Sequence, residues 1–433
     1  MAKFTLSNGK NNQKDIMKDS RDTISAGIED FRKKWQLPWE DITVLTGGDI
    51  LTSLSKHQVL YSPFNWDYAF YQLDDAAAAD AILDDFGTLG AKVFREPQFK
   101  PGTRIWVAVF SEKTTAPAGP WPNPPETPGW KSPVINRKVM DSAALPGELS
   151  PFRFKGEDYL LENVLAHYVN PGTPVGSRSH ENHFRIRRES DDRMISIPLL
   201  NHYFASAYVW KDRCYCFAMG QTKDGGSIGT HLNEIWSDDL ISWSPVHRIF
   251  DFTDRNEHFC NTSVTYDGKR FVLLYETDNP SYPIYTFHFA ESADLVNWTT
   301  IPDAVYAWDK YTGGGSLHWI EEDGMYYLST LDLYPHPITR KIAYRFILSR
   351  SRDLIHWEDA PDDRPIIVPD FEHRPDPERH PDVYEISVSD LEYRQLPDRL
   401  KIYYIGGNQW GVCDNQVAEY PGTLREFFHE FYK

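Results

Sequence analysis

Ser237-Asp238-Asp239-Leu240-Ile241-Ser242-Trp243, Ser292-Ala293-Asp294-Leu295-Val296-Asn297-Trp298 and Ser351-Arg352-Asp353-Leu354-Ile355-His356-Trp357 are three copies of one phrase, S-x-D-L-x-x-W. They stand roughly 55 and 59 residues apart, and self-similarity on that scale marks an array of repeated units or a propeller. A Ser-x-Asp turn running into Leu and Trp fits a strand end, an Asx-type bend, and a Trp packed under the next strand.

A second repeat runs in phase with the first. FKGEDYLLEN, WKDRCYCFAM, YDGKRFVLLYE, EEDGMYYLST and LPDRLKIYYIGG are tight turns leading into aromatic-rich strands. Their turn residues Gly156, Asp212, Gly268 and Gly324 lie about 56 apart, and Asp398 follows after a longer insert. Five hairpins at this interval, three of them ending in the heptad, predict a mainly β chain built as a five-bladed β-propeller.

Upstream the pattern differs. Thr23–Lys34 is amphipathic at helical spacing and Gln58–Phe64 reads as a strand. Asp74–Gly87 opens on acids, runs through alanines and stops at glycine, as a helix does. Arg104–Phe110 is a strand. The expected organisation is therefore an N-terminal α/β accessory region over 1–114, a Pro-rich linker over 115–145, and the propeller over 146–433. The proline-rich stretch is either a surface linker or a Trp-bearing loop at the rim of a site.

With 433 residues, 41% hydrophobic and 25% charged, the chain has the composition of a folded globular protein. Its formal charge of −18 repels phosphate backbones, so nucleic acid is excluded as a partner. No stretch has the length of a membrane span and no secretory leader is visible, so the expected setting is cytoplasmic, away from membranes. Four cysteines make no disulfide framework. Cys214 and Cys216 read as apolar filler on one strand face.

The period also locates a site. In a propeller the first strand of each unit runs down the channel and the second returns, so residues before the first and after the second meet at one mouth. Counting back from the turns gives Glu148, Phe204, Cys260, Ser316 and Asp390. Counting forward gives Glu276 and Asp332, with Asn163, Gln221, Asn408 and Gln409 at equivalent ends. Glu392, two residues beyond Asp390, faces the same side. Asn261 adds an amide, and Glu257 lies in a loop that could reach over the mouth. Singly, each acid reads as a turn cap or rim residue. As a ring, the set suits sugars: glycoside cleavage needs one carboxyl group to protonate the leaving oxygen and another to activate water or attack.

These repeats resemble the five-bladed propeller glycosidases, glycoside hydrolase family 43 and its relatives in families 32, 62, 117 and 130. The resemblance spans about residues 145–433. It puts Glu148, in Glu148-Leu149-Ser150-Pro151, where family 43 has its general-base Asp, and Asp390 at the family's Asp register. The chain departs from the pattern at the general acid, having Asn261-Thr262 and Gly314-Gly315-Ser316-Leu317-His318 where a Glu-Gly-Pro phrase is usual.

What the resemblance implies is an exo-acting glycosidase on an oligosaccharide. Glu148 is base or nucleophile, Glu276 or Glu257 the acid, and Asp390 the tuning group. Asp332, Glu392, His318 and the amides bind substrate. His318 is also read as an acid or as a ligand for a central ion, against the plainer reading of a hydrogen-bonded strand histidine. No cofactor is required, and a structural cation in the central channel is possible. The N-terminal region would cap the site or pair subunits. The rivals are a non-catalytic sugar-binding propeller, a lyase or isomerase on the same scaffold, and a sialidase-like enzyme.

Overall fold

The computed structural model describes residues 129–169, 181–220, 229–255, 257–277, 279, 285–306, 312–336, 342–408 and 412–433, with Pro122, Asn123 and five upstream strands. Those strands are β1 (Phe4–Thr5), β2 (Ile42–Leu45), β3 (Tyr68–Leu73), β4 (Gly90–Arg95) and β5 (Ile105–Phe110), in one antiparallel sheet of order β1-β2-β4-β5-β3. The strand expected at Arg104–Phe110 is β5. The helices expected at Thr23–Lys34 and Asp74–Gly87, and the strand at Gln58–Phe64, lie outside the described residues.

From Leu149 onward, four-stranded antiparallel groups follow in sequence. The first is β7 (Leu149–Phe154), β8 (Glu157–Val164), β9 (His183–Arg188) and β10 (Met194–Leu200). The second is β11 (His202–Trp210), β12 (Arg213–Gly220), β13 (His231–Ser237) and β14 (His247–Asp251). The third is β15 (Phe259–Tyr266), β16 (Phe271–Thr277), β17 (Thr286–Ser292) and β18 (Trp298–Tyr306). Next come β19 (Ser316–Ile320), β20 (Met325–Pro335), β21 (Ile342–Ser351) and β22 (Trp357–Asp359). A single parallel pair, Tyr344 with Ser387, joins these to β23 (Ser387–Gln395), β24 (Leu400–Gly407) and β25 (Cys413–Tyr420).

The fourth strand of that last group comes from the other side of the chain. β6 (Ile135–Val139), which precedes the first group and falls inside the expected linker, pairs antiparallel with β25 at Gln416↔Val139 and Val417↔Lys138. The last sheet thus takes its outer strand from the segment that precedes the first.

Inner strands touch in a closed cycle: β7 meets β11, β11 meets β15, β15 meets β19, β19 meets β23, and β23 meets β7. They diverge too far for ladders, so hydroxyls satisfy the backbone instead. Ser150 Oγ accepts from Ala207 N (3.0 Å), Ser263 Oγ from Leu317 N (3.0 Å) and Thr265 Oγ1 from Trp319 N (3.0 Å). Apolar side chains fill the wedges between groups. Phe184, Ile186, Cys214, Cys216 and Ile235 lie between the first and second, so both cysteines are the filler expected. Leu149, Leu160, Tyr403 and Val417 close the seam between last and first.

The heptads join third to fourth strands, on the outer side. Asp239 Oδ1 accepts from Ile241 N (2.8 Å) and Ser242 N (2.7 Å), while Ser237 Oγ accepts from Leu240 N (2.8 Å). The same bonds recur around Asp294 and Asp353. They hold Leu240, Leu295 and Leu354 at φ of 63°, 67° and 68°, which places each buried leucine side chain under its group despite the left-handed backbone. Trp298 and Trp357 donate Nε1–H to the leucine carbonyls at 3.0 Å.

After a one-turn helix α1 (Ala166–Val169), the described helix is α2 (Leu424–Glu430), started by a Thr423–Glu426 capping box. Its Phe427 and Phe428 are buried against Tyr393, and Phe428 also meets Tyr327 and His318.

Candidate active site

At the end of the inner strands a cavity of about 260 Å³ opens, lined among others by Glu148, Glu276, Asp390, Asn261, Tyr203 and Phe204. A smaller cavity of about 30 Å³ continues inward, with Glu148, Asp390 and Asn261 shared and Glu392, Ser150 and Ser206 added. Glu148, Phe204, Cys260 and Asp390, expected from the repeat interval at one mouth, all line it. Ser316 does not, whereas Gly313 and Gly314 before it do.

Bulges aim these side chains. Register slips between Tyr203 and Ser206, between Phe259 and Thr262, and between Ser389 and Glu392 bend β11, β15 and β23 where they reach the cavity. Phe204 and Asp390 each sit at φ 51°, unusual for residues with a Cβ. Gly314, at φ 60°, lies against Asp390, where an added Cβ would stand 3.0 Å from Oδ1. Gly315 donates its N–H to Glu276 Oε1 at 3.2 Å. Asn261 Nδ2 donates to Asp390 Oδ1 at 3.3 Å, and its side chain also bonds Glu276. One amide therefore ties two of the acids together.

Burial dominates the electrostatics. It pushes Glu276 up to about 8, despite donation from Gly315, Gly314 and Asn261, and Asp390 adds repulsion. Burial lifts Asp390 to about 6, against the pull of Ser389 and Asn261. Glu148 is raised well above the ordinary carboxylate range by burial, then by Asp390 and Glu276. Three carboxyl groups repelling one another across one cavity lose their protons in steps, as a unit.

Other expected residues are placed elsewhere. Glu257 is buried beside Asn279, whose Nδ2 donates to it at 3.1 Å, and is not among the residues lining the cavity. Asp332 pairs with Arg345 at 2.8 Å; its neighbour Leu331 faces the cavity, and strand alternation turns Asp332 the other way. Asn163 bridges to the second group, donating to Ala205 O (2.9 Å) and accepting from Ala205 N (2.8 Å). Asn408 caps its own loop by accepting from Val412 N at 3.3 Å. His318 and Glu392 lie deeper, joined through Ser316. Gln221 and Gln409 are outside the described residues. Of the proline-rich stretch, Pro122 and Asn123 lie against His336, Asp370 and Phe371, and Trp130 packs on Phe431.

The structure adds groups that sequence reasoning missed. Tyr203 is buried at the cavity, its phenol raised by burial and then by Glu148 and Asp390. Cys413 lines the wall beside Tyr168 (Sγ to OH 3.6 Å), with its thiol pushed up to about 12 by burial. Behind that wall His373, Glu385 and Asp414 bring donor atoms within 4.8 Å of one another, a metal-capable set. Their charges are already met: Arg137 lies 3.5 Å from Glu385, His373 Nε2 lies 2.6 Å from Asp414, and the Gln416 amide bonds both carboxylates. The set acts as a clasp holding 370–385 to the last sheet.

No protein-family model matches the sequence, and no curated protein matches it. Solved structures do. One described as a glycoside hydrolase is 13% identical over 68% of this chain and 93% of its own, with a TM-score of 0.48. A family 43 endo-arabinanase from Bacillus licheniformis is 10% identical over 65% of this chain and 96% of its own, TM-score 0.42. An N-acetylgalactosamine deacetylase from F. plautii, in complex with blood group B trisaccharide, is 11% identical over 69% of this chain and 98% of its own, TM-score 0.43. These are likenesses of strand path at low identity; the chemistry below rests on the cavity's own residues.

Proposed function

We propose that this chain is a five-bladed β-propeller glycoside hydrolase, with residues 146–433 as the catalytic unit and the N-terminal region as its accessory. The observation that carries the reading is the meeting of Glu148, Glu276 and Asp390, from three separate sheets, around one concave cavity. Glycoside hydrolysis needs a protonated carboxyl and an ionised one at the same pH. A repelling triad supplies both across neutrality, because its members cannot all ionise together.

In this reading Glu276 is the general acid, kept protonated by burial and presented by the Gly314–Gly315 backbone and Asn261. Glu148 and Asp390 form the opposite, basic side. Repulsion lets one of them carry the charge while the other holds a proton; Glu148 activates water or attacks, and Asp390 sets its charge. A cavity of about 260 Å³ suits a terminal sugar unit, which supports exo-action on an oligosaccharide. The carboxyl groups perform both proton transfers, so the reading calls for no cofactor. Tyr203 and Asn182 on the wall offer hydroxyl and amide partners for sugar hydroxyls.

The test is a screen of the full chain and its Glu148→Gln and Glu276→Gln variants against aryl glycosides and plant and algal oligosaccharides. Turnover by the parent, lost in both variants with sugar binding kept, is expected. Binding without turnover by the parent would make the chain a sugar-binding propeller and overturn the reading.

A further inference from the structure

Beneath the cavity two i, i+2 pairs on neighbouring inner strands face each other, Ser316 with His318 on β19 and Asp390 with Glu392 on β23. Ser316 Oγ lies 2.8 Å from Glu392 Oε2 and 2.9 Å from His318 Nε2. A hydroxyl carries one proton, so Ser316 can donate to only one of the two. Two arrangements satisfy all three groups. An ionised Glu392 accepts from Ser316, whose oxygen then accepts from His318 Nε2–H. A protonated Glu392 instead donates to Ser316, which donates to a bare Nε2, leaving the ring proton on Nδ1. With the acid proton on Oε2, the protonation of Glu392 and the tautomer of His318 become one variable.

The inner cavity connects this chain of bonds to the site. Its volume of about 30 Å³ has room for a water molecule, and Glu148, Asp390 and Glu392 all line it. We propose that Glu392 is the proton store of the site, exchanging a proton with Asp390 and Glu148 through that cavity, with Ser316 and His318 as the positioning residues that fix its loaded state. In the exchange the O–H bond of Glu392 breaks and its electron pair stays on the carboxylate. A water molecule takes that proton and passes one of its own to Asp390 or Glu148, where a new O–H bond forms. Ser316 then turns its hydroxyl from His318 to Glu392, and the ring proton moves to Nε2 by exchange with water. No charge is created or lost in the pair of carboxyl groups.

The groups facing Glu392 fit this role. Asp390 on its own strand, Glu148 just before β7 and His318 on β19 are titratable, as is Tyr393, whose hydroxyl is bonded to Ser329. Asn163, Ser206, Asn261 and Thr262, from the first three groups, are uncharged. Its cross-strand neighbour Tyr403 turns its hydroxyl away to Glu189. Burial lifts Glu392 to about 8 and drops His318 to about 4, so at neutral pH the acid is loaded and the ring neutral. A loaded Glu392 also spares the site a fourth negative charge, which lets Asp390 ionise near neutrality.

The consequence for rate rests on the glycosidase reading, whereas the coupling has its own readout. The experiment is histidine-selective 15N NMR of the full chain, parent, Glu392→Gln and Ser316→Ala, from pH 6 to 10. In the parent the two ring nitrogens of His318 should exchange N–H and bare-nitrogen character as Glu392 ionises near pH 8. The exchange should vanish in Glu392→Gln and, independently, in Ser316→Ala. A His318 tautomer that stays fixed across this range in the parent, or that still switches in Glu392→Gln, overturns the proposal. In any glycoside assay Glu392→Gln, which takes away a carboxylate that ionises near pH 8, should move the upper pH limit of kcat/KM downward. If no glycoside is turned over, the glycosidase reading fails and the NMR result still decides the coupling.

Discussion

Glu276→Gln separates the proposed acid from its neighbours, and the structure sets the size of the effect. Glu276 is 1% exposed and titrates at about 8. With that value roughly nine-tenths of the molecules carry the proton at pH 7 and about one-tenth at pH 9, so kcat/KM should fall about tenfold between them. An ordinary carboxyl near 4.3 would be under ~1% protonated at pH 7, and no such limb would be seen. Replacing the acid by an amide of the same shape removes proton donation, worth about 10²- to 10⁴-fold, or roughly 3–5 kcal/mol of barrier. The loss should be largest for poor alcohol leaving groups and small for nitrophenolates, which depart unaided. Gln can still accept from Gly315 N, so the fold is retained. The sign of the stability change provides a check. A carboxyl whose folded pKa is raised binds protons more tightly when folded, so it costs stability as pH rises from about 4.5 to 8. Glu276→Gln should therefore melt higher than the parent at pH 9 and gain nothing at pH 4. Equal losses for good and poor leaving groups, or an unchanged upper limb in the variant, would refute the assignment of Glu276 as acid.

Gly314→Ala should lower activity and cost about 1–2 kcal/mol by denaturant titration, since its Cβ would meet Asp390 and its φ is 60°. Gly313→Ala, whose Cβ meets nothing within 4 Å, should leave stability unchanged. Asp353→Ala removes acceptors that hold a heptad turn and should cost roughly 1–2 kcal/mol, by analogy with a lost helix cap, with kcat unchanged. Asp239, held down at about 2 by backbone donors, contributes stability present above pH 4 and lost as pH falls toward 2, so the parent should show an acid limb that Asp239→Asn lacks. His373 is raised above its ordinary value by Asp414. Its clasp should be fully formed below pH 6.5 and loosen as pH rises through the folded pKa, read as faster proteolysis within 370–385.

The arrangement of sheets was legible because it is written at a fixed interval. Ser-x-Asp-Leu turns and Gly or Asp hairpins are local chemistry, and local chemistry repeats wherever the backbone repeats. The ring of Glu148, Asp390 and Glu276 followed from the same interval, since equal strand lengths bring equivalent positions to equivalent heights. Counting failed where strand alternation mattered, as at Asp332, which lies one residue beyond a lining position and therefore turns away. The clasp of β6 onto β25 was hidden because Ile135–Val139 is an exposed edge strand without alternation, following a proline-rich stretch. The roles of Gly314 and Gly315 were also out of reach. A glycine run announces an unusual backbone, but only the meeting of the β15, β16 and β23 ends shows that its N–H groups serve Glu276 and its missing Cβ makes room for Asp390.

The most direct measurement is the fate of water oxygen during turnover. An oligosaccharide that the parent cleaves, incubated in ¹⁸O-enriched water and analysed by mass spectrometry, should yield a reducing sugar with one ¹⁸O at its anomeric carbon, and NMR of the first-formed anomer then assigns retention or inversion. Unsaturated product without label, or no cleavage of any glycoside by a folded chain that binds sugar, would contradict the account.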